Sequence, residues 1–380
     1  MHSDTTQAIG QWIELIRAPN DENTQEGFRQ IYRSHHPYQG ELIFSPACNS
    51  ECAHCIYPPN YAKYNRSLSV AQWRLIVRKL IDELEIRTFV YGGRTVTRQG
   101  IEFLKILRWL APDARIGIID SGISLFRFRE QLAELELGWI DVSLDGLERD
   151  HDIQRNRDSC FRHGLEAALW LKENAIVPKV NILTCLTTIN RGSVIPMIQE
   201  INTLGFKNFF ITPVTVLDGY RPDRNLMVTG AEFTDFIKEL QDAIPELDDA
   251  WVELNVFSAD YMGFIGNNYH SLWDNLTPRQ DCLVNESLCG NNDFSIRYYP
   301  SSLTGTREFI VNTNGNVIPP HVMAKGDIPK QDLLGNLLEE SAKDIVIETL
   351  ESSRFGFYWR EFLVEKRLLK NLLEKYDGLE

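Results

Sequence analysis

Between residues 8 and 33, apolar side chains return at helical spacing: Ile9, Trp12, Ile13, Leu15 and Ile16, then Phe28 and Ile31. Ala18-Pro19-Asn20-Asp21 interrupts them, so the pattern predicts two short N-terminal helices. The period then changes. Glu41-Leu-Ile-Phe-Ser45 reads as a strand, and Ser69 caps a helix running to Glu83 whose Leu75, Ile76, Leu80 and Leu84 form one apolar face. From Thr88-Phe-Val-Tyr91 onward the pattern alternates: helix 99–110, strand 115–120, helix 126–134, strand 139–144, helix 158–174, strand 177–187, helix 193–204 and strand 207–213. Such alternation is how parallel strands with helical crossovers appear in a sequence. Six strand units from residue 41 are too few to close an eight-stranded barrel, so the expected fold is α/β, a partial (β/α)6 TIM-like barrel. Beyond residue 214 the alternation stops. Val214 to Asn225 is a loop over the barrel mouth that offers Asp218, Tyr220, Arg221 and Arg224 to a substrate. A helix from Thr229 to Ala243 and a strand from Trp251 to Phe257 follow, Asn314-Gly315 between apolar runs signals a hairpin, and Phe357 to Lys375 reads as a docking helix.

Composition narrows the setting. The 380 residues are 43% hydrophobic with a mean hydropathy of -0.25, enough for one barrel-sized domain and a smaller one. No uninterrupted apolar run of about 18 residues occurs, and the N-terminus lacks a basic stretch followed by an apolar one, so a cytoplasmic protein that does not span a membrane is expected. Net charge is -14 with a pI near 5.1, which excludes broad nucleic-acid binding because that depends on neutralising phosphates with Lys and Arg. Seven cysteines, three of them grouped, fit a reducing compartment and metal ligation better than a disulfide framework.

The group is Ser45-Pro-Ala-Cys48-Asn-Ser-Glu-Cys52-Ala-His54-Cys55. Iron–sulfur clusters are ordinarily held by four thiolates and structural zinc by four closed ligands, so three cysteines with no near fourth leave one position exchangeable. A zinc site completed by His54, His35 or His36 is one alternative, and unrelated buried cysteines are another. The CxxxCxxC spacing, with His54 before the last cysteine, resembles the radical S-adenosylmethionine (radical SAM) superfamily. Gly92-Gly93-Arg94 stands where that family usually has Gly-Gly-Glu, whose backbone and carboxylate receive the methionyl amino group of S-adenosylmethionine. Arg94 departs from the pattern, since a cation cannot accept a hydrogen bond from an ammonium; either the Gly92 and Gly93 carbonyls carry the contact or Arg94 turns to another anion. Asp120-Ser121-Gly122 occupies the turn that lies near the ribose in relatives.

Asp141-Val-Ser143-Leu-Asp145-Gly146, then His151-Asp152-Ile-Gln-Arg155-Asn-Arg157 and Cys160-Phe161, resemble the family's Val-Ser-Leu-Asp-Gly, His-Asp-x-x-Arg and Ser-Phe segment. The resemblance implies that Ser143 and either Arg155 or Arg157 bind the S-adenosylmethionine carboxylate, a ligand that suits an arginine fork. Asp145 is then structural, and strand ends around Cys185 and Thr212 flank the adenine. Cys160 and Cys185 read as small buried hydrophobes, with Cys185 also placed to face the cavity and give a hydrogen atom to a substrate radical.

Cys282-x6-Cys289, the run from Arg307 to His321 and Leu334-Gly-Asn-Leu337 resemble the small C-terminal α/β SPASM or twitch extension of peptide-modifying members. Pro320 stands where a thiolate is expected, so Cys282, Cys289 and His321 supply too few ligands for an auxiliary cluster. The expected organisation is 1–38 an N-terminal helical segment, 39–230 the radical SAM partial barrel, 231–270 a linking helix and strand, 271–350 a degenerate SPASM-like domain and 351–380 a C-terminal helix. The resemblance further implies one 4Fe-4S cluster on Cys48, Cys52 and Cys55, S-adenosylmethionine on its open iron, and a flavodoxin- or ferredoxin-type one-electron reductant. The 5′-deoxyadenosyl radical so released would take a substrate hydrogen. The substrate is expected to be a ribosomally made peptide undergoing epimerisation, cross-linking or backbone C–C cleavage, with a small leader-binding partner protein. The alternative is a small metabolite such as an amino sugar or nucleoside. Too few auxiliary ligands favour redox-neutral chemistry in either case.

Overall fold

The central strands are rich in Val, Ile and Phe because helices cover them on the outside, as parallel sheets require. The structure is a computed structural model and describes residues 5–57, 61–64, 66–92, 95–215, 224–268, 273, 275–279, 281–289, 291–319 and 328–374. Its strands are β1 Gln39–Leu42, β2 Thr88–Tyr91, β3 Arg115–Asp120, β4 Trp139–Ser143, β5 Val180–Leu186, β6 Asn208–Pro213 and β7 Trp251–Val256. They continue with β8 Thr277–Arg279, β9 Cys282–Cys289, β10 Asn292–Tyr298, β11 Glu308–Val311, β12 Asn316–Ile318 and β13 Gly335–Asn336. All lie in one sheet in the order β13-β12-β11-β1-β2-β3-β4-β5-β6-β7-β10-β9-β8.

Every pairing from β11 through β1 to β7 and on to β10 is parallel, while β12, β13, β9 and β8 extend the two ends antiparallel. The open, partial α/β barrel expected from the sequence is therefore formed, and its parallel run is wider than six strands. The C-terminal segment supplies the extra width at both ends: β11 pairs with β1, with Leu42 opposite Val311, and β10 pairs with β7, with Tyr298 opposite Val256. The sheet does not close, since β13 and β8 end it.

Local sequence explains most helix ends. Ser69 and Gln72 form a capping box at the start of the helix Val70–Leu84, and Glu85 in the left-handed region (φ 56) ends it. That helix buries Trp73, Ile76, Val77 and Leu80. Leu75, expected on the apolar face, is 55% exposed, because two residues on from Trp73 the helix has turned about 200° away from the core. The predicted helix 126–134 is two short pieces, Ile123–Arg127 and Arg129–Ala133, joined at Phe128. An unforeseen helix, Glu148–Arg155, follows β4; its Glu-Arg-Asp-His-Asp-Ile-Gln-Arg sequence carries no apolar period.

The first two helices pack against the last one. Phe28 of the helix Glu22–Ser34 stacks on Phe362 of the helix Gly356–Leu373 at 4.7 Å between ring centroids. Buried Glu365 accepts from Ser302 Oγ (2.5 Å), the Ser302 N–H (3.1 Å) and Trp12 Nε1 (3.3 Å). Burial pushes its carboxyl up to about 7 against those three donors. Among the described residues no helix is long and apolar enough to cross a membrane.

Candidate active site

The carboxyl ends of the parallel strands form one rim, and the loops there build the site, as in other parallel α/β sheets. The cysteine loop after β1 is tied down by its backbone. The Ala53 N–H donates to the Gln154 carbonyl (2.8 Å), the Thr95 N–H donates to the Ala47 carbonyl (3.3 Å), and the Arg157 guanidinium donates to the Asn49 carbonyl. Cys48 is exposed and Cys52 and Cys55 are half-buried, and all three line a single cavity of about 550 Å³. That is a normal size for a small-molecule site.

The geometry gives the zinc alternative no support. Among the described residues no three His, Cys, Asp or Glu side chains converge closely enough to hold one metal ion. His35 and His36 precede β1, at the opposite rim from the cysteines, and the buried His35 Nδ1 lies 2.9 Å from the Ile31 carbonyl of its own helix. The three cysteines share the wall of one cavity.

Asp145, two residues past the end of β4, is the hub of the rim. Fully buried, it accepts from Arg155 Nε at 2.5 Å and from the Cys185 N–H at 2.9 Å, while its own N–H donates to His151 Nδ1 at 2.9 Å. The Asn190 amide donates to the Asp145 carbonyl and, at 2.7 Å, to that of Cys185, which also accepts from Gln154 Nε2 at 2.9 Å. The loops after β4 and β5 are thereby locked together. Burial alone would raise the Asp145 carboxyl, but the Arg155 guanidinium, with His54 and His151, holds it well below the usual carboxylate range. This is the structural role the sequence assigned to it.

Burial pushes His54 and His151 each down to about 4, with Asp145 pulling the other way, so both are neutral at neutral pH. His54 Nδ1 and His151 Nε2 are buried without hydrogen-bond partners among the described residues. Burial likewise pushes the Cys52 thiol up to about 12 against the pull of Arg155, so a thiolate there needs the positive charge of a metal beside it.

The structure brings most of the expected residues to this cavity: Cys48, Cys52, His54, Cys55, Ser121, Ser143, Arg155, Cys185 and Thr212 all line it. Thr212 of β6 is the register partner of Cys185 on β5. Arg155 and Arg157 separate in role, the first in the cavity wall against Asp145 and the second on the Asn49 carbonyl. Ser121 sits in a turn set by Asp120, which accepts from the Gly122 N–H (2.8 Å), the Val96 N–H (3.0 Å) and the Ser124 hydroxyl (2.5 Å). Gly122 (φ +88) passes so close to Gly164 that a Cβ would fall 2.5 Å from its Cα. Gly92 follows β2, its N–H 3.4 Å from the Leu42 carbonyl.

Gly93, Arg94, Asp218, Tyr220, Arg221, Pro320 and His321 lie outside the described residues. Cys282 and Cys289 are the first and last residues of β9, so at about 3.3 Å per residue their backbones are roughly 23 Å apart and they cannot share a cluster. The Cys282 thiol is buried and donates to the Arg279 carbonyl at 3.2 Å.

The sequence reading missed the other half of the cavity wall, which includes Glu41, Arg307, Glu308, Ser301, Thr304 and Glu361. One signal was present. Glu41 is a carboxylate at an inward position of a strand whose other residues read as core.

An open parallel α/β barrel with three thiols and an arginine–aspartate pair at its strand ends defines a cofactor-binding barrel of the iron–sulfur kind. Residues 42–201 match the model of the Radical SAM superfamily, and this stretch is a radical SAM domain. The chain is 25% identical over 207 residues to a probable GTP 3',8-cyclase of Methanopyrus kandleri, covering 53% of this chain and 62% of that protein. It is 25% identical over 176 residues to the sporulation killing factor maturation protein SkfB of Bacillus subtilis, covering 45% and 41%. The chain thus spans less than two thirds of either relative. The fold is similar to that of native anSMEcpe with bound AdoMet and Cp18Cys peptide, at a TM-score of 0.59 and 18% identity over 86% of this chain and 84% of that one.

The cofactors of the domain are a 4Fe-4S cluster and S-adenosylmethionine, and the residues present fit them. Cys48, Cys52 and Cys55 offer three thiols, the partnerless His54 Nδ1 lies in the same loop, and Ser143, Arg155, Ser121 and Thr212 line the space beside them.

Proposed function

We propose that the protein is a radical SAM enzyme that modifies a ribosomally made peptide by epimerisation, cross-linking or backbone C–C cleavage. The observation that carries this reading is the convergence of the cysteine thiols, Ser143, Arg155 and Cys185 on one cavity at the strand ends of a radical SAM domain. When bound, the cluster and S-adenosylmethionine, fed one electron by an external flavodoxin- or ferredoxin-type donor, supply a 5′-deoxyadenosyl radical that removes a hydrogen atom from the substrate. The chain's own residues position and shield. Ser143 and Arg155 receive the cofactor carboxylate, Arg157 fixes the cluster loop, and the barrel wall excludes water.

Cys185 faces the cavity from β5, and burial keeps its thiol protonated, with a hydrogen atom to give to a substrate radical. The thiyl left behind takes an electron and a proton from the external reductant and solvent. Similarity to SkfB and to the peptide-bound anSMEcpe supports a peptide substrate, and a small leader-binding partner would present it. Residues 39–230 are the catalytic unit in this reading, and the need for reduced thiols supports a cytoplasmic setting for it. Similarity to the GTP 3',8-cyclase supports a second reading, a small-metabolite substrate.

Anaerobic reconstitution should give about 4 iron per chain. Reductant and S-adenosylmethionine should then release 5′-deoxyadenosine, and both signals should vanish in a Cys48/Cys52/Cys55→Ala variant. Release that persists in the variant defeats the proposal. Faster release with a short precursor peptide than with GTP selects the peptide reading, and the reverse selects the metabolite.

A further inference from the structure

The cavity that receives the cysteine thiols runs down the barrel to the opposite rim, where Glu41 of β1 and Arg307 and Glu308 at the start of β11 line it. Most of the charged groups along it already have partners. Asp120 accepts three hydrogen bonds, Arg155 is paired with Asp145, and Arg307 is divided between Glu308 (2.7 Å) and Asp281 (3.4 Å). Among the described residues two carboxylates, Glu41 and Glu361, are the exceptions, and of these Glu41 lies on a strand of the barrel. The Glu41 carboxyl accepts no hydrogen bond from any described residue and has no described cation within ion-pair distance, its surroundings including the like charge of Glu308 and the committed Arg307. Burial and Glu308 push it up to about 8, with Arg307 pulling the other way.

The position is one that packing alone would fill with an apolar side chain. The register partners of Glu41 on the two neighbouring strands, Val90 and Ile310, are buried and apolar. A half-buried carboxyl with no described partner, set on a cavity wall beside apolar register neighbours, points to a ligand that completes it. Gly92 lies against this carboxyl, since a Cβ added there would meet Glu41 Oε1 at 3.4 Å.

We propose that Glu41 anchors a protonated amine entering this cavity, carried either by S-adenosylmethionine or by the substrate. An ammonium brings three donors, no acceptor and the positive charge this wall lacks. The inference deepens the proposed function and rests on it for the cavity's occupants.

Glu41→Gln tests it, since glutamine keeps the shape and cannot carry the charge. Full-length, anaerobically reconstituted wild type and variant are compared by equilibrium dialysis with S-adenosylmethionine and with its analogue lacking the amino group. They are then titrated calorimetrically with n-butylammonium in the presence of S-adenosylmethionine. Iron content and Tm should match, the Tm of the variant being no lower. If the cofactor carries the amine, the variant binds S-adenosylmethionine about 10- to 100-fold more weakly and the deamino analogue equally well. If the substrate carries it, S-adenosylmethionine binds both proteins alike and n-butylammonium binds the wild type alone. Equal binding of every ligand to both proteins, or binding of n-butylammonium to neither with S-adenosylmethionine unchanged, overturns the inference. A wild type that binds no S-adenosylmethionine overturns the proposed function instead, and the n-butylammonium arm still decides Glu41.

Discussion

Replacing Asp145 with asparagine keeps the size of the side chain and an oxygen for the Cys185 N–H, and removes only the charge that faces Arg155. The Arg155 side chain is 11% exposed and Asp145 not at all, so the guanidinium is left buried with no counter-ion. Breaking a buried pair from one side costs about 3–5 kcal/mol. With an unfolding entropy of about 2.1 cal/mol/K per residue, a chain of 380 residues should lose roughly 4–6 °C of Tm. The carboxyl titrates below its unfolded value, so the pair's stabilisation is complete above that value, near 3.9, and is lost only as pH falls through the folded value. The gap between Asp145→Asn and wild type should therefore be constant from pH 5 to 8. The assay is differential scanning fluorimetry of the reconstituted protein, with the double variant Asp145→Asn/Arg155→Gln as the second arm. Removing both charges should restore more than half of the loss, because the stranded arginine is gone. A shift below about 1 °C, or a double variant no more stable than Asp145→Asn, would refute the reasoning.

Three further outcomes are expected. Glu365 has a folded value of about 7 against 4.5, so the folded state holds its proton and stability falls by about 3 kcal/mol as pH rises from 4.5 to 7. Glu365→Gln, which mimics the protonated acid, should match wild type in Tm at pH 5 and exceed it at pH 8; a gap independent of pH would count against this. Gly122→Ala places a Cβ at positive φ and 2.5 Å from the Gly164 backbone, and should cost about 2–4 kcal/mol, read as a fall of several degrees in Tm. Cys185→Ala should still release 5′-deoxyadenosine while its product, made in deuterium oxide, no longer carries deuterium at the reacting carbon; unchanged incorporation would remove Cys185 from that role.

What the sequence made legible was local. The cysteine spacing, the Asp141–Gly146 strand end and the Ser69 cap each lie within a few residues, and each is found where the spacing predicts. The choice between Arg155 and Arg157 was not legible, because both lie near the end of one short helix and only the fold decides which meets Asp145 and which meets Asn49. Leu75 was misplaced because Leu75 and Ile76 are both apolar and the period alone does not say which one faces inward. The longest-range features were invisible. The β1–β11 pairing joins Gln39 to Glu308, and no local pattern marks β11 as a neighbour of β1 and not the start of a separate unit.

That pairing explains why the hidden half of the cavity is charged. In a closed barrel the strands at this point would hydrogen-bond around the ring, and the wall would be made by backbone. Here β10 pairs with β7 and β9 and β11 with β1 and β12, so the two do not pair with each other, and Arg307 immediately precedes β11. Its guanidinium lies 4.9 Å from the Tyr299 ring centroid and 5.9 Å from that of Phe257, with Asp281 and Glu308 as counter-ions. A second cavity, of about 560 Å³, shares Phe257, Arg307 and Glu308 with the first. Side chains thus replace backbone in this stretch of wall, and they bring carboxylates into an interior that a closed barrel fills with aliphatic layers. The open sheet and the place of Glu41, which has no described partner, beside β11 both follow from the pairing of β11 with β1.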